Sequence, residues 1–390
     1  MDSFAPSAPV VAVVGGGQLA RMMQESAIAL GIELRPLVEA ADGSTGQVVV
    51  SSRVGAASDL AAVARTARGA DVLTFEHEHV PQSLLAGLPA DLPVHPGRHA
   101  LVFAQDKLAM RERLTELGIA CPAWARVTCR QDLEHFADRV GWPVVLKTPV
   151  GGYDGHGVRI VEQDEDVEDW FAAGTPLLAE EKVPFVAEAA ALLARSPSGE
   201  IRSWPVAATI QEGGVCSVVI APAPDLPDEV AEEARRIAER IAAELDVTGV
   251  LAVEMFVVKS ADGLGVLVNE LAMRPHNSGH WTIDGSLTSQ FEQHLRAVLD
   301  LPLGSTDMVR PGACAVMVNL LGSTLAQPAR ALGAALQAGD DVKVHLYGKE
   351  VRPGRKLGHV AVVDADPGQA RSRATRAVDA LAGRSTKRAD

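Results

Sequence analysis

Apolar residues along this chain gather in short unbroken runs near the N-terminus and at helical spacing further on. Val10–Val14 is continuously apolar, as a strand buried on both faces requires. Gly15, Gly16 and Gly17 follow, then a helical stretch over Gln18–Leu30 that Gly31 closes at the C′ position. Strand-like runs at 32–38, 47–51 and 71–75, with a helix near 60–68, complete a strand–helix alternation. The alternation predicts a parallel, doubly wound, Rossmann-like sheet over residues 1–103.

The texture changes after Phe103. A charged amphipathic helix at 107–117 ends at Gly118, and a helix at 133–140 precedes a strand at 143–147 and a glycine loop at 151–157. Strands at 177–183 and 187–195 lead to the turn Ser196-Pro197-Ser198-Gly199. A long helix at 228–245 repeats Val230, Ala234, Ile237, Ile241 and Leu245 at helical spacing. Two apolar strands, 250–258 and 266–271, flank Ser260-Ala261-Asp262-Gly263 and read as a hairpin. Strands at 315–319, 342–347 and 360–363, a last helix and a polar tail finish the chain. The predicted organisation is α/β and α+β, with a central region at 104–312 and a small β-rich domain at 313–390. Within the central region a lid spans about 124–209 and a catalytic part about 210–312.

Composition narrows the function. The net charge of −14 excludes a broad nucleic-acid or anionic-membrane footprint. Cys121, Cys129, Cys216 and Cys314 are scattered without a Cys-x-x-Cys pair, which suits a reducing cytoplasm and neither a disulfide framework nor a zinc site. The opening MDSFAPSAP lacks the basic and apolar regions of a signal peptide. No apolar stretch approaches the roughly 20 residues of a membrane helix, so the expectation is a cytoplasmic protein.

The hairpin carries the first chemical signal. Glu254 sits inside one apolar strand and Glu270 ends the other. A turn centred on Asp262 sets them directly opposite, where like charges destabilise a sheet. A magnesium ion between them removes that penalty, and magnesium completes its shell with waters and phosphate oxygens. Asn269 can add a neutral oxygen.

No Gly-x-x-x-x-Gly-Lys-Ser/Thr motif occurs, so a P-loop is not expected. Lys147 instead closes an apolar strand, followed by Gly151, Gly152, Tyr153, Asp154, Gly155, His156 and Gly157. Glycines leave backbone N–H groups free to close over phosphates, and such a loop can serve as a lid. The segment LLAEEKV, at 177–183, can offer backbone groups to an adenine edge, with Glu188 reaching ribose hydroxyls.

Two rivals use other residues. Gly15-Gly16-Gly17-Gln18-Leu19-Ala20 fits Gly-x-Gly-x-x-Ala, with Glu39 at dinucleotide distance. An NAD-dependent oxidoreductase fits that region but leaves Glu254, Glu270 and the glycine loop unexplained. His276 and His280 are four apart, but Asn277-Ser278-Gly279 disfavours a helix and no third zinc ligand is evident.

Lys107, Lys147, GGYDGHG, EEKV, AVEMF and NELAMRPHNSGHW together resemble the ATP-grasp enzymes. Within that family the chain is similar to the N5-carboxyaminoimidazole ribonucleotide synthetases of purine synthesis, from VVGGGQLARMM to YGKEVRPGRKLGH. The resemblance implies a central ATP-grasp fold, a homodimer, and a ligase that turns ATP, bicarbonate and 5-aminoimidazole ribonucleotide into the N5-carboxylated ribonucleotide, ADP and phosphate through carboxyphosphate. It assigns ATP to Lys107, Lys147, Gly152, Tyr153, Asp154, Gly155, His156, Gly157, Val158, Glu180, Glu181, Lys182, Val183, Glu188, Gln211, Asn269 and Glu270. Glu254 and Glu270 become the magnesium ligands, and Asp154, Arg274, His276 and Asn277 the catalytic group. Gln18, Glu76, Tyr153, Asp154, Lys349, Arg355 and Lys356 fall to the ribonucleotide. Three departures stand out: His156 where relatives carry Arg or Lys, Gln211 for a histidine, and Met273 for a proline. A formate-dependent glycinamide ribonucleotide transformylase would share the nucleotide site. A nonenzymatic nucleotide sensor would not need the full lysine and magnesium set.

Overall fold

The structure, a computed structural model, describes residues 8–152, 157–163, 165–260 and 263–384. Val10–Val14 forms the centre of a parallel sheet between Glu33–Val38 and Val72–Phe75, and the short strand Arg53–Val54 lies at its edge. Val11, Ala12, Val13 and Val14 are fully buried, which is why the run carries no polar residue. Gly31 adopts φ +67° and ends the helix Gln18–Leu30 as expected.

One expected strand is absent. Residues 47–51 form turns in which Val48 and Val49 both donate to the Thr45 carbonyl. Thr45 is itself tied through Oγ1 to the Gly17 carbonyl, and Val50 is left 92% exposed. The run has strand composition, but its backbone bonds close locally. Two short helices, Gln82–Ala86 and Arg98–Gln105, were also unanticipated.

A smaller antiparallel sheet, within the region expected as a lid, holds Trp124–Val127, Leu177–Glu181, Val144–Lys147 and Val158–Val161, in that order. A larger antiparallel sheet runs from Gly263–Ala272 through Gly249–Ser260, Phe185–Arg195, Ala207–Glu212 and Val215–Ala221. It continues without a break into Cys314–Leu321, Lys356–Asp364 and Lys343–Leu346. The C-terminal strands therefore extend the sheet that carries the hairpin. Pro367–Ala382 covers them, burying Ala370, Ala374, Ala377 and Leu381. Among the described residues no helix is long and apolar enough to cross a membrane.

The long helix Asp228–Glu244 packs Val230, Ala234, Ala238 and Ile241 into the core cluster that includes Leu251, Val253 and Met255. That face of Gly249–Ser260 is buried, so Glu254 must point the other way, into the cleft. Glu254 pairs directly with Glu270, as the hairpin reading required. The next pair is Met255 with Val268, so Asn269 is an extra residue in its strand. Strict alternation would send Val266, Val268 and Glu270 to the same face. The bulge resets the count, so that Leu271 is buried and Asn269 and Glu270 both face the cleft.

Candidate active site

The cleft between the two sheets collects acids on one wall and cations on the other. Glu254, whose side chain is 30% exposed, lies opposite Glu270. Burial, then the charges of Glu270 and Glu188, raise the Glu254 carboxyl to about 7, and Lys356 and Arg274 offset only part of this. Burial also raises Glu188, on the neighbouring strand. Lys107 Nζ stands 3.6 Å from Glu270 and Lys147 Nζ 4.0 Å from it. Among the described residues no three His, Cys, Asp or Glu side chains cluster to hold a metal ion. The hairpin thus supplies two carboxylates and an amide oxygen, a hard and incomplete donor set. That fits magnesium sharing its shell with phosphate and water better than a closed zinc site.

Lys147 is 6% exposed and bonded on two sides, 2.7 Å from Glu180 and 3.2 Å from Asn269 Oδ1. Glu180 also receives Arg111 Nε at 2.6 Å. Arg111 is fully buried, and its other two nitrogens donate to the carbonyls of Val268 and Asn269. One guanidinium therefore ties the helix Lys107–Glu116, the lid strand and the bulge together. Burial alone would raise the Glu180 carboxyl, but Arg111 and Lys147 outweigh it and hold the group below its ordinary value. Sequence reading passed over Arg111, which sits in a helix whose composition suggests solvent. The Glu180 carboxylate is occupied within the protein, which leaves its backbone as the part that can meet a nucleotide.

Beyond the hairpin the chain turns at 274–277. Arg274 Nε lies 2.8 Å from Glu78, a partner not foreseen. His276 Nδ1 accepts from the Ser278 backbone N–H. The ring proton therefore sits on Nε2, which lies 3.2 Å from Glu254. Burial, with Arg274 and Lys356 nearby, lowers the imidazole well below its ordinary value, so it is neutral. Gln290 clamps the His276 backbone through its N–H and its carbonyl, each at 2.8 Å. Asn277 is 8% exposed. His280 is fully buried, and its Nδ1 lies 2.9 Å from Gln290 Nε2.

The remaining predicted residues are spread over both antiparallel sheets, the glycine loop and the N-terminal sheet. Glu181 Oε1 accepts from Ala123 N; Lys182 is exposed and Val183 buried. Gln211 lies at an irregularity in its strand, paired with Cys216. Gly152 and Gly157 meet at the neck of the glycine loop, where a Cβ on Gly157 would come 3.4 Å from the Gly152 Cα, and Val158 pairs with Lys147. Tyr153, Asp154, Gly155 and His156 lie outside the described residues. At the N-terminal sheet Glu76, just past the strand Val72–Phe75, is 6% exposed and accepts from the backbone of Gly17 and Leu19, capping the helix Gln18–Leu30. Burial raises its carboxyl despite those bonds. Gln18 accepts a hydrogen bond from Lys349. Arg355 donates to the Glu350 carbonyl, and Lys356 opens the strand Lys356–Asp364.

Three family models match the chain in order. They describe the ribonucleotide synthetase preATP-grasp domain over 9–105, the ATP-grasp domain over 112–291 and the phosphoribosylaminoimidazole carboxylase C-terminal domain over 315–373. With the two facing sheets and the cation-lined cleft, they define an ATP-grasp ligase. The N5-carboxyaminoimidazole ribonucleotide synthase of Mycobacterium bovis is 52% identical over 376 residues, covering 94% of this chain and 86% of that protein. The chain belongs to the N5-carboxyaminoimidazole ribonucleotide synthase family. Two solved structures of the Aspergillus clavatus synthase agree in fold. The one complexed with ATP has a TM-score of 0.87 at 32% identity, covering 96% of this chain and 98% of that one. The other, with ADP and 5-aminoimidazole ribonucleotide, has a TM-score of 0.86 at 31% identity with the same coverage.

Proposed function

We propose that this chain carboxylates 5-aminoimidazole ribonucleotide with bicarbonate at the expense of ATP, releasing N5-carboxyaminoimidazole ribonucleotide, ADP and phosphate. The observation that carries the reading is the Glu254–Glu270 pair, set between Lys107 and Lys147 on one side and His276 on the other. Bicarbonate is a poor electrophile, and phosphorylation by ATP gives it a leaving group. Phosphoryl transfer asks a protein mainly for positioning and charge neutralisation.

Glu254 and Glu270 would hold magnesium, which supplies positive charge at the phosphate oxygens when bound. Lys107 and Lys147 stand on the phosphate side, and Asn269 adds a neutral oxygen beside them. Gly152 to Val158 would close over the phosphates and exclude water from carboxyphosphate. The backbone from Glu180 to Val183 takes the adenine edge, since the Glu180 carboxylate is already committed to Arg111 and Lys147. Glu188 takes the ribose, and Gln211 lies further along the same wall. Arg274, the His276 Nε2–H and the Asn277 amide receive the bicarbonate-derived anion. Asp154 orients or deprotonates the attacking amine, with Tyr153 beside it. Lys349, Arg355 and Lys356 suit the 5′-phosphate, and Gln18 and Glu76 border the same ligand. The working form is a homodimer.

The test is ADP release from purified protein with 5-aminoimidazole ribonucleotide, with and without added bicarbonate. Release that follows bicarbonate concentration is expected. Release indifferent to bicarbonate defeats the reading.

A further inference from the structure

Beneath the turn that carries His276 and Asn277 lies a buried amide that the scheme above leaves unused. Asn319, in the strand Cys314–Leu321, is 4% exposed. Its Nδ2 donates to the Cys216 carbonyl at 2.9 Å and to Asn277 Oδ1 at 3.1 Å. A backbone carbonyl can only accept, so the Cys216 contact fixes which end of the Asn319 amide is nitrogen. The same nitrogen faces Asn277, so the Asn277 atom that meets it must be oxygen. The orientation of one amide thus dictates the orientation of the next.

Asn277 Nδ2 is consequently turned away from Asn319. It is buried and finds no acceptor among the described residues. Beside it is the Cys216 thiol, which burial keeps neutral and which is a weak acceptor at best. A buried donor without an acceptor is costly to the free protein, and the cost is recovered when an anion arrives. Donors fixed in advance toward developing negative charge need no reorganisation during the reaction.

We propose that Asn319 is a positioning residue for the carboxylation: it locks the Asn277 amide with its N–H groups toward the bicarbonate-derived anion. Without it, Asn277 can rotate and present its oxygen, which repels the anion. The inference rests on the carboxylation reading and on the place of Asn277 in it.

Asn319→Leu keeps similar bulk and removes both hydrogen bonds. The expected result is a kcat/KM for bicarbonate lower by about tenfold or more, with KM for ATP within about twofold of the parent and more ATP hydrolysed per product formed. In an Asn277→Ala background the same substitution should add no further loss, because its target is gone. A purely structural role would give additive losses, or equal losses toward ATP and bicarbonate, and either overturns the proposal. If thermal melting shows that Asn319→Leu does not fold, Asn319→Ser enters the same cycle with the same expected and overturning results. A parent enzyme indifferent to bicarbonate would sink the functional reading itself. Additive losses in a bicarbonate-dependent parent sink only the role of Asn319.

Discussion

Glu180 on the lid sheet and Glu254 on the large sheet border the same cleft, but their surroundings oppose each other. Arg111 and Lys147 both reach the Glu180 carboxylate, at 2.6 and 2.7 Å, and hold it ionised. Glu254 faces Glu270 and stands near Glu188, and its carboxyl rises to about 7. The first acid is neutralised by the fold, so it belongs to the frame. The second is left short of positive charge, as the proposed magnesium site requires. In this cleft, incomplete neutralisation separates the proposed binding wall from the scaffold.

The comparison can be broken most sharply at Glu270. Glu270→Gln should slow ADP release by on the order of a thousandfold. The metal-free protein should melt no lower than the parent, because a repulsion has been removed. Turnover near the parent level would dissolve the distinction. On the other wall, Arg111→Met should cost about 3–5 kcal/mol in denaturant unfolding, because it strips a buried carboxylate of one partner. A loss below about 1 kcal/mol would show that the fold does not depend on that pair.

The pH dependence gives a finer measure. The folded Glu254 carboxyl lies above its ordinary 4.5, so the folded state holds the extra proton. Its contribution to stability is full below that ordinary value and is lost as pH rises through about 7. Melting of metal-free protein between pH 5 and 8 should reveal this decline, and magnesium with ADP should flatten it. Magnesium affinity should strengthen with pH across the same range, and a pH-independent affinity would contradict the assignment. The smallest effect is expected at Gln18, which holds Lys349. Gln18→Ala should raise KM for 5-aminoimidazole ribonucleotide by about twofold to tenfold and leave KM for ATP unchanged.

The opposed glutamates were legible in the sequence because a carboxylate inside each apolar strand conflicts with its neighbours. The parallel first sheet was legible from strand–helix alternation alone. The bulge was not. Asn269 and Glu270 read as ordinary alternation until the pairing of Met255 with Val268 reveals the inserted residue. Arg111 was hidden for a different reason: in KLAMRERLTE it is one charge among several, and only closure of the lid strand against the hairpin buries it. Residues 47–51 misled in the opposite direction. Three valines promised a strand, but the Thr45 carbonyl drew their backbone into turns. Asn319 carried no local signal, because its meaning depends on a carbonyl 103 positions away.

The unbroken large sheet also acts as a ruler. Glu254 and Lys356 sit on strands five steps apart in its order. At roughly 4.8 Å per step, a flat sheet would set those strands about 24 Å apart. Lys356 nevertheless lowers the Glu254 carboxyl electrostatically, which a sheet rolled into a trough allows. Such curvature brings Lys356, at the start of its strand, round toward the acidic hairpin. The reach between the acidic hairpin and Lys356 is then set by how tightly the trough is rolled.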